Sequence, residues 1–275
     1  MTGIEVRLSQ LLNAESGKGV VVAFDHGGNG VVPGGEDPGA ILATLGASGA
    51  EALLLGPGLA RHAAASVARP GGPRLIVALD HCVIDSLPGQ EAPMTQHRQL
   101  ISPVDALGLG ATAAKMLLPV GLETSAAYAD SAAVVARNAH ECARLGLPLM
   151  VEPALWGSRV PEDTDQLIAH AARVSVELGA HLLKIPATVD PELLNDIVQW
   201  SPVPVFVLGG APANPRSFGE EIGRWMQSGA AGVAVGRNVW SRPSPGHAIQ
   251  ALQAAVHDAD IEACVRHLEQ ADTAA

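Results

Sequence analysis

Lysine is almost missing from this chain. Only Lys18, Lys115 and Lys184 occur in 275 residues, beside fourteen arginines. Aromatic residues are equally scarce at 3%, too few for a base-stacking platform. Positive charge is short overall: 17 basic against 28 acidic residues leave a net charge of -11. That balance excludes a surface that gathers nucleic acid or anionic membrane by charge. The three cysteines, Cys82, Cys142 and Cys264, are odd in number, far apart and without a CxxC spacing. They predict free thiols in a reducing cytoplasm rather than a disulfide framework. No HxxxH, HxH or paired-carboxylate spacing stands near the strand ends, so neither a metal nor another cofactor is expected. The opening MTGIEVRLSQLL lacks an apolar h-region with a small-residue cleavage site. No run approaches the roughly 18 apolar residues of a membrane span.

What the chain does have is 48% hydrophobic residues with 30 Gly and 20 Pro, enough to bury a large core and turn often. Eight short runs are continuously apolar: Val20–Phe24, Ala52–Leu55, Leu75–Leu79, Ala113–Leu118, Leu147–Val151, His181–Ile185, Val203–Leu208 and Gly232–Val235. Unbroken apolar runs predict strands buried on both faces of a parallel sheet. Helical stretches lie between them: Pro38–Ala47, Leu59–Ala68, Ser102–Leu109, Ser125–Leu145, Glu162–Leu178, Pro191–Trp200 and Pro215–Gln227, with Pro245–His257 and Asp260–Glu269 after them. Asp190-Pro191, Asn214-Pro215 and Ser244-Pro245 each offer a cap followed by proline at the first helical position. Gly146, Gly179 and Gly229 stand where helices should stop. Eight strand–helix units without a composition break predict one α/β domain over residues 1–275, a single (β/α)8 TIM barrel, with a short N-terminal helix at 4–14 and a C-terminal helix at about 260–270. A doubly wound open sheet would usually carry GxGxxG after its first strand; here the first run ends in Asp25-His26-Gly27-Gly28-Asn29-Gly30, out of that register. The stretch His81–Ile101 has no clear period and predicts a lid or active-site loop.

In such a barrel the chemistry sits at the C-terminal ends of the strands. Reading those ends gives Asp25 and His26 after the first strand, Asp80 and His81 after the third, Lys115 inside the fourth, Glu152 closing the fifth and Lys184 inside the sixth. A lysine in an apolar strand is either tied to a carboxylate or is an amine primed to attack a carbonyl as a Schiff-base nucleophile. Lys184 fits the second role; Lys115 could assist it, bind a substrate phosphate or hydroxyl, or be a salt-bridged core residue. Two ammonium groups about 7 Å apart at an effective dielectric of 20 repel by roughly 2 kcal/mol, which would lower the pKa of one of them. Glu152 can shuttle protons or merely pair with a lysine. Asp25 can take a substrate hydroxyl proton or cap a turn. Asp80 and His81 repeat that pattern after the third strand, and His26 and His81 are read as structural or substrate-orienting rather than as general bases. Gly209 and Gly210 after the seventh strand, with Gly236 and Arg237 after the eighth, predict a phosphate site, since glycine admits close backbone approach and arginine adds a charged fork.

These residues resemble the class I aldolase superfamily that contains deoxyribose-phosphate, tagatose-bisphosphate and archaeal-type fructose-bisphosphate aldolases. The resemblance covers about residues 18 to 258 and is carried by Phe24-Asp25-His26-Gly27, Leu182-Leu183-Lys184-Ile185, Gly209-Gly210 and Val235-Gly236-Arg237-Asn238-Val239-Trp240. It implies that Lys184 forms the Schiff base, that Gly209, Gly210, Gly236 and Arg237 hold phosphate, and that Asp25 acts near the substrate hydroxyl. The archaeal-type branch has a catalytic tyrosine after strand five; this chain has Val151-Glu152-Pro153-Ala154-Leu155-Trp156, and its one tyrosine, Tyr128, lies in a predicted helix. Lys115 and Glu152 are more similar to the tagatose-bisphosphate and sulfofructose-phosphate branches, where a strand-four lysine lines the site and a Glu is the proposed proton shuttle. The expected activity is metal-independent cleavage or formation of a C–C bond in a phosphorylated ketose, in the cytoplasm, by a homo-oligomer without nucleic-acid or membrane partners. The alternatives are acyl transfer by the thiolase branch and a non-catalytic sugar-phosphate sensor.

Overall fold

Runs of Val, Leu and Ile suit strands that are covered on both faces, and each of the eight runs overlaps one. In the computed structural model, which describes residues 2–31, 33–84, 94–188 and 190–273, they are β1 (Gly19–Phe24), β2 (Ala52–Leu55), β3 (Arg74–Ala78), β6 (Ala113–Pro119), β7 (Leu149–Ala154), β8 (Leu182–Pro186), β9 (Val205–Leu208) and β10 (Gly232–Val235). They pair in parallel and close a barrel in the order β1-β10-β9-β8-β7-β6-β3-β2. Between β3 and β6 the chain leaves the barrel. There β4 (Asp80–Ile84) and β5 (Met94–Gln99) form an antiparallel hairpin in the stretch expected to be an aperiodic loop. Residues 85–93 of that stretch lie outside the described residues. Gln99 and Asn138 exchange amide hydrogen bonds of 2.9 Å, which pin the hairpin to the helix Ser125–Leu145.

Alternation along each strand sorts the side chains into two sets. Val20, Val22 and Phe24 of β1 pack outward against the helices, while Val21 and Ala23 point into the barrel. The inner set continues as Ala52, Leu54, Ile76, Ala78, Ala113, Met150, Leu182, Phe206 and Ala234. Leu11, 1% exposed, and its neighbours Leu8 and Leu12 join this set and plug the barrel floor. Carrying the same parity upward brings Asp25, Asp80, Lys115, Glu152, Lys184 and Gly236 into the barrel mouth. The Phe206 ring packs over Gly19 at the foot of β1 and so fills the space beneath the polar layer, and the small Ala23, Ala78 and Ala234 leave room above it.

Several boundaries differ from expectation. The N-terminal helix is Gly3–Ser9, shorter than 4–14; a Thr2–Glu5 capping box starts it, and Asn13 then takes the amides of Glu15 and Ser16 into a turn. Leu59–Ala68 is two short helices, Pro57–Ala60 and Ala64–Val67. Ser66 and Arg69 reach the carbonyls of Leu42 and Gly46, which pulls the second piece onto the helix Pro38–Gly46. Glu152 lies inside β7 rather than at its end. Ser244 makes no side-chain cap bond and instead contacts His247 Nδ1 at 3.0 Å. The C-terminal helix runs longer, Ile261–Thr273. No helix among the described residues is long and apolar enough to cross a membrane.

Candidate active site

The inward parity of β6, β7 and β8 puts two lysines and a glutamate on neighbouring strands, and β1 adds an aspartate. Lys184 Nζ donates to Glu152 Oε2 at 2.9 Å. The same oxygen is 2.9 Å from Lys115 Nζ, which also donates to Asp25 Oδ2 at 3.0 Å. The result is a chain of alternating charge, Lys184–Glu152–Lys115–Asp25, with Lys115, Glu152 and Lys184 all buried. It lies in a cavity of about 1090 Å³. Asp25 makes no side-chain cap bond to the following turn His26–Asn29, so its carboxylate serves Lys115 rather than the backbone.

Charge sets the protonation states. Burial alone would raise the Asp25 and Glu152 carboxyls, but Lys115 and then Lys184 hold both below the ordinary carboxylate range. Burial alone would lower Lys115, but Asp25, Glu152 and Asp80 push it above the ordinary lysine value. The lowering expected of one of the two lysines is therefore not found at Lys115, because two carboxylates hold its pKa up. Lys115 is a fixed cation with two partners, while Lys184 has one. Lys18, the third lysine, donates to the Ala230 carbonyl at 3.0 Å and is half-buried.

The loops after β9 and β10 meet on the same cavity, where Gly209, Gly210, Gly236 and Arg237 line its wall. A Cβ on Gly236 would stand 2.8 Å from the Ala23 carbonyl, so only glycine lets this turn close against β1. Asn238, fully buried, braces both loops: its Nδ2 donates to Gly209 O at 2.8 Å and Ala211 O at 2.6 Å, and its Oδ1 accepts from Ala213 N at 2.9 Å. Arg242 in turn donates to the carbonyls of Asn238 and Ala213. Arg237 pairs with no carboxylate among the described residues.

His26, Asp80 and His81 also line the cavity. His26 lies 3.7 Å from Asp25 Oδ1 and edge-on to Trp240; burial lowers its pKa, so the ring is neutral at pH 7. His81 packs on Gly28, where a Cβ would come within 2.7 Å of its Nδ1. Asp80 Oδ2 accepts 2.6 Å hydrogen bonds from Leu117 N and His97 Nε2. That carboxylate takes over where the β3–β6 ladder ends at Ala78 and Lys115, and so ties the hairpin to the Lys115 strand. The Asp80–His97 pair and the Asn238 brace were not expected from sequence. The alternation of Asp80 and Cys82 against His97 and Gln99 was the available signal for the first.

Comparison with known proteins agrees with the barrel. The profile described as DeoC/LacD family aldolase matches residues 19–242. A 2-amino-3,7-dideoxy-D-threo-hept-6-ulosonate synthase of Halobacterium salinarum is 30% identical over 248 residues, covering 90% of this chain and 89% of that protein. An archaeal fructose 1,6-bisphosphate aldolase superposes with a TM-score of 0.76 at 26% identity, over 93% of this chain and 99% of that one. An archaeal fructose-1,6-bisphosphate aldolase with its catalytic lysine bound covalently to the carbinolamine intermediate gives 0.75 at 26% identity, over 92% and 99%.

Proposed function

The chain belongs to the DeoC/LacD family of aldolases and is a class I, Schiff-base enzyme, and on that premise we propose that Lys184 is the nucleophile and that the substrate is a phosphorylated ketose. The observation that carries this reading is the shared Glu152 oxygen, 2.9 Å from both lysines. Attack needs a neutral amine, and Glu152 is the acceptor within reach of the Lys184 proton. Lys184 adds to the ketone carbon, and Glu152 returns the proton to the carbinolamine hydroxyl, which leaves as water. The resulting iminium draws the electron pair of the C3–C4 bond as that bond breaks. Asp25 takes the C4 hydroxyl proton, an aldehyde departs, and the enamine gains a proton at C3. Water then hydrolyses the iminium, frees the ketone and restores the Lys184 amine. Lys115 stays charged throughout and balances whichever carboxylate is ionised.

Gly209, Gly210, Gly236 and Arg237 hold the phosphate through backbone amides and the guanidinium. His26 and His81 orient the sugar, and Asp80, its side chain fully buried, holds the strand that carries Lys115 through Leu117 N. The chemistry uses no metal, and three buried free thiols accord with a cytoplasmic enzyme.

The test is carbon-bound deuterium uptake by dihydroxyacetone phosphate in D2O, followed by NMR, since an enamine exchanges that hydrogen without any aldehyde. Wild type is expected to exchange at a rate insensitive to EDTA, and Lys184→Met to lose exchange. Exchange that persists in Lys184→Met would overturn the assignment.

A further inference from the structure

We propose that the substrate carries one phosphate rather than two, and that its aldehyde-derived part ends in an uncharged, apolar chain. The proposal rests on the Schiff-base reading above and narrows its substrate. Size comes first. The cavity, at about 1090 Å³, reaches the top of the roughly 300–1,000 Å³ typical of sites for drug-sized ligands. A sugar phosphate anchored on the glycine loops and bonded to Lys184 leaves its outer part unfilled.

Charge then limits what the outer part accepts. The permanent cations on the wall are Lys115, Lys184 and Arg237. Both lysines are committed to Glu152 and Asp25, which leaves Arg237 alone for a phosphate. At the mouth a second phosphate would meet Glu36, an exposed carboxylate on the same wall. Residues 85–93, outside the described residues, contain no lysine or arginine in sequence.

The rim supplies the positive argument. The exposed large hydrophobic residues among the described residues are Val6, Val31, Leu100, Val104 and Trp156, and three of the five line this one cavity. Val31 is 79% exposed, Leu100 53% and Trp156 46%. They come from three separate connections, after β1, β5 and β7. Scattered exposed hydrophobics are ordinary, but convergence on the mouth of a reactive cavity marks a surface that a ligand covers. A ligand whose polar end reaches Lys184 and whose far end is apolar satisfies size, charge and rim together.

The test uses the full chain with dihydroxyacetone phosphate as donor and follows kcat/KM for C–C bond formation across aldehydes. Propanal, pentanal, heptanal and phenylacetaldehyde are compared with glyceraldehyde and glyceraldehyde 3-phosphate. Burial of each added methylene is expected to raise kcat/KM by up to about fourfold, with glyceraldehyde 3-phosphate no better than glyceraldehyde. Trp156→Ser is expected to flatten the chain-length dependence. A tenfold preference for the phosphorylated aldehyde, or a flat profile in wild type, overturns the proposal, as does an unchanged slope in W156S. Deuterium exchange into the donor separates the two levels: exchange with an empty or flat aldehyde profile sinks this proposal alone, and no exchange sinks it together with the Schiff-base reading.

Discussion

Replacing Lys115 by Met tests the charge chain where it is most constrained. The substitution keeps an apolar stem of similar length and removes the cation between Asp25 and Glu152. Each carboxylate has an oxygen 2.9–3.0 Å from Lys115 Nζ. The two oxygens therefore lie within about 6 Å of each other, where two like charges at an effective dielectric of 20 repel by roughly 3 kcal/mol. Removing one partner of a buried ion pair costs about 3–5 kcal/mol, which sets the expected loss of stability at pH 7. The sign of the pH dependence follows from the wild-type carboxyls. Despite burial, Lys115 and Lys184 hold both down, so they stabilise the fold above an unfolded pKa of about 4, and that contribution is lost as the pH falls through their folded values. In K115M, Asp25 keeps only Lys184 as a lysine neighbour and its carboxyl rises above the unfolded value. The variant then gains stability relative to wild type as the pH drops from 8 to 5, because protonation relieves the repulsion. Urea titrations at pH 5, 6, 7 and 8 measure the difference. A deficit that does not change with pH, or none at pH 7, refutes the charge chain.

Arg237→Met is expected to raise KM for a phosphorylated donor about tenfold or more with a smaller change in kcat, since a charged hydrogen-bond pair contributes about 1.5–3 kcal/mol; an unchanged KM contradicts the phosphate assignment. Asn238→Ala removes the brace between the two loops, and a loss of about 2–3 kcal/mol with a raised donor KM is expected; denaturant unfolding and steady-state kinetics read both. His97→Ala leaves Asp80 Oδ2 with Leu117 N alone and is expected to cost about 1–3 kcal/mol, with faster amide exchange in β4 and β5, whereas exchange that stays slow would mean the hairpin is held by other contacts.

The barrel was legible because parallel strands covered on both faces read as unbroken apolar runs, and because Asp190, Asn214 and Gly146 mark helix ends by local chemistry that tertiary contacts do not override. The same unbroken runs hid which residues face inward, since Val20 and Val21 are equally apolar and fully buried on opposite faces. Only the rare polar residues, Lys115, Glu152 and Lys184, broke the symmetry, and all three converge. Their connectivity was not legible. That Glu152 spans two lysines depends on the register of β6 against β7, which places Leu117 beside Glu152 and Lys115 beside Met150. The hairpin was missed because strands of six residues or fewer carrying Asp, His, Gln and Arg lack the usual strand composition, and their stability comes from side-chain ties to Asp80 and Asn138. His97 and Asn238 act across 17 and 25 to 29 residues of sequence, a separation that no local pattern encodes.

Borohydride reduction of the protein in the presence of dihydroxyacetone phosphate, followed by peptide mass spectrometry, tests the central claim most directly. A Schiff base on Lys184 is trapped as a secondary amine, so one covalent adduct on the peptide that contains Lys184 is predicted, with Lys115 and Lys18 unmodified. An adduct confined to Lys115, or no adduct with any of several ketone phosphates, would contradict the account.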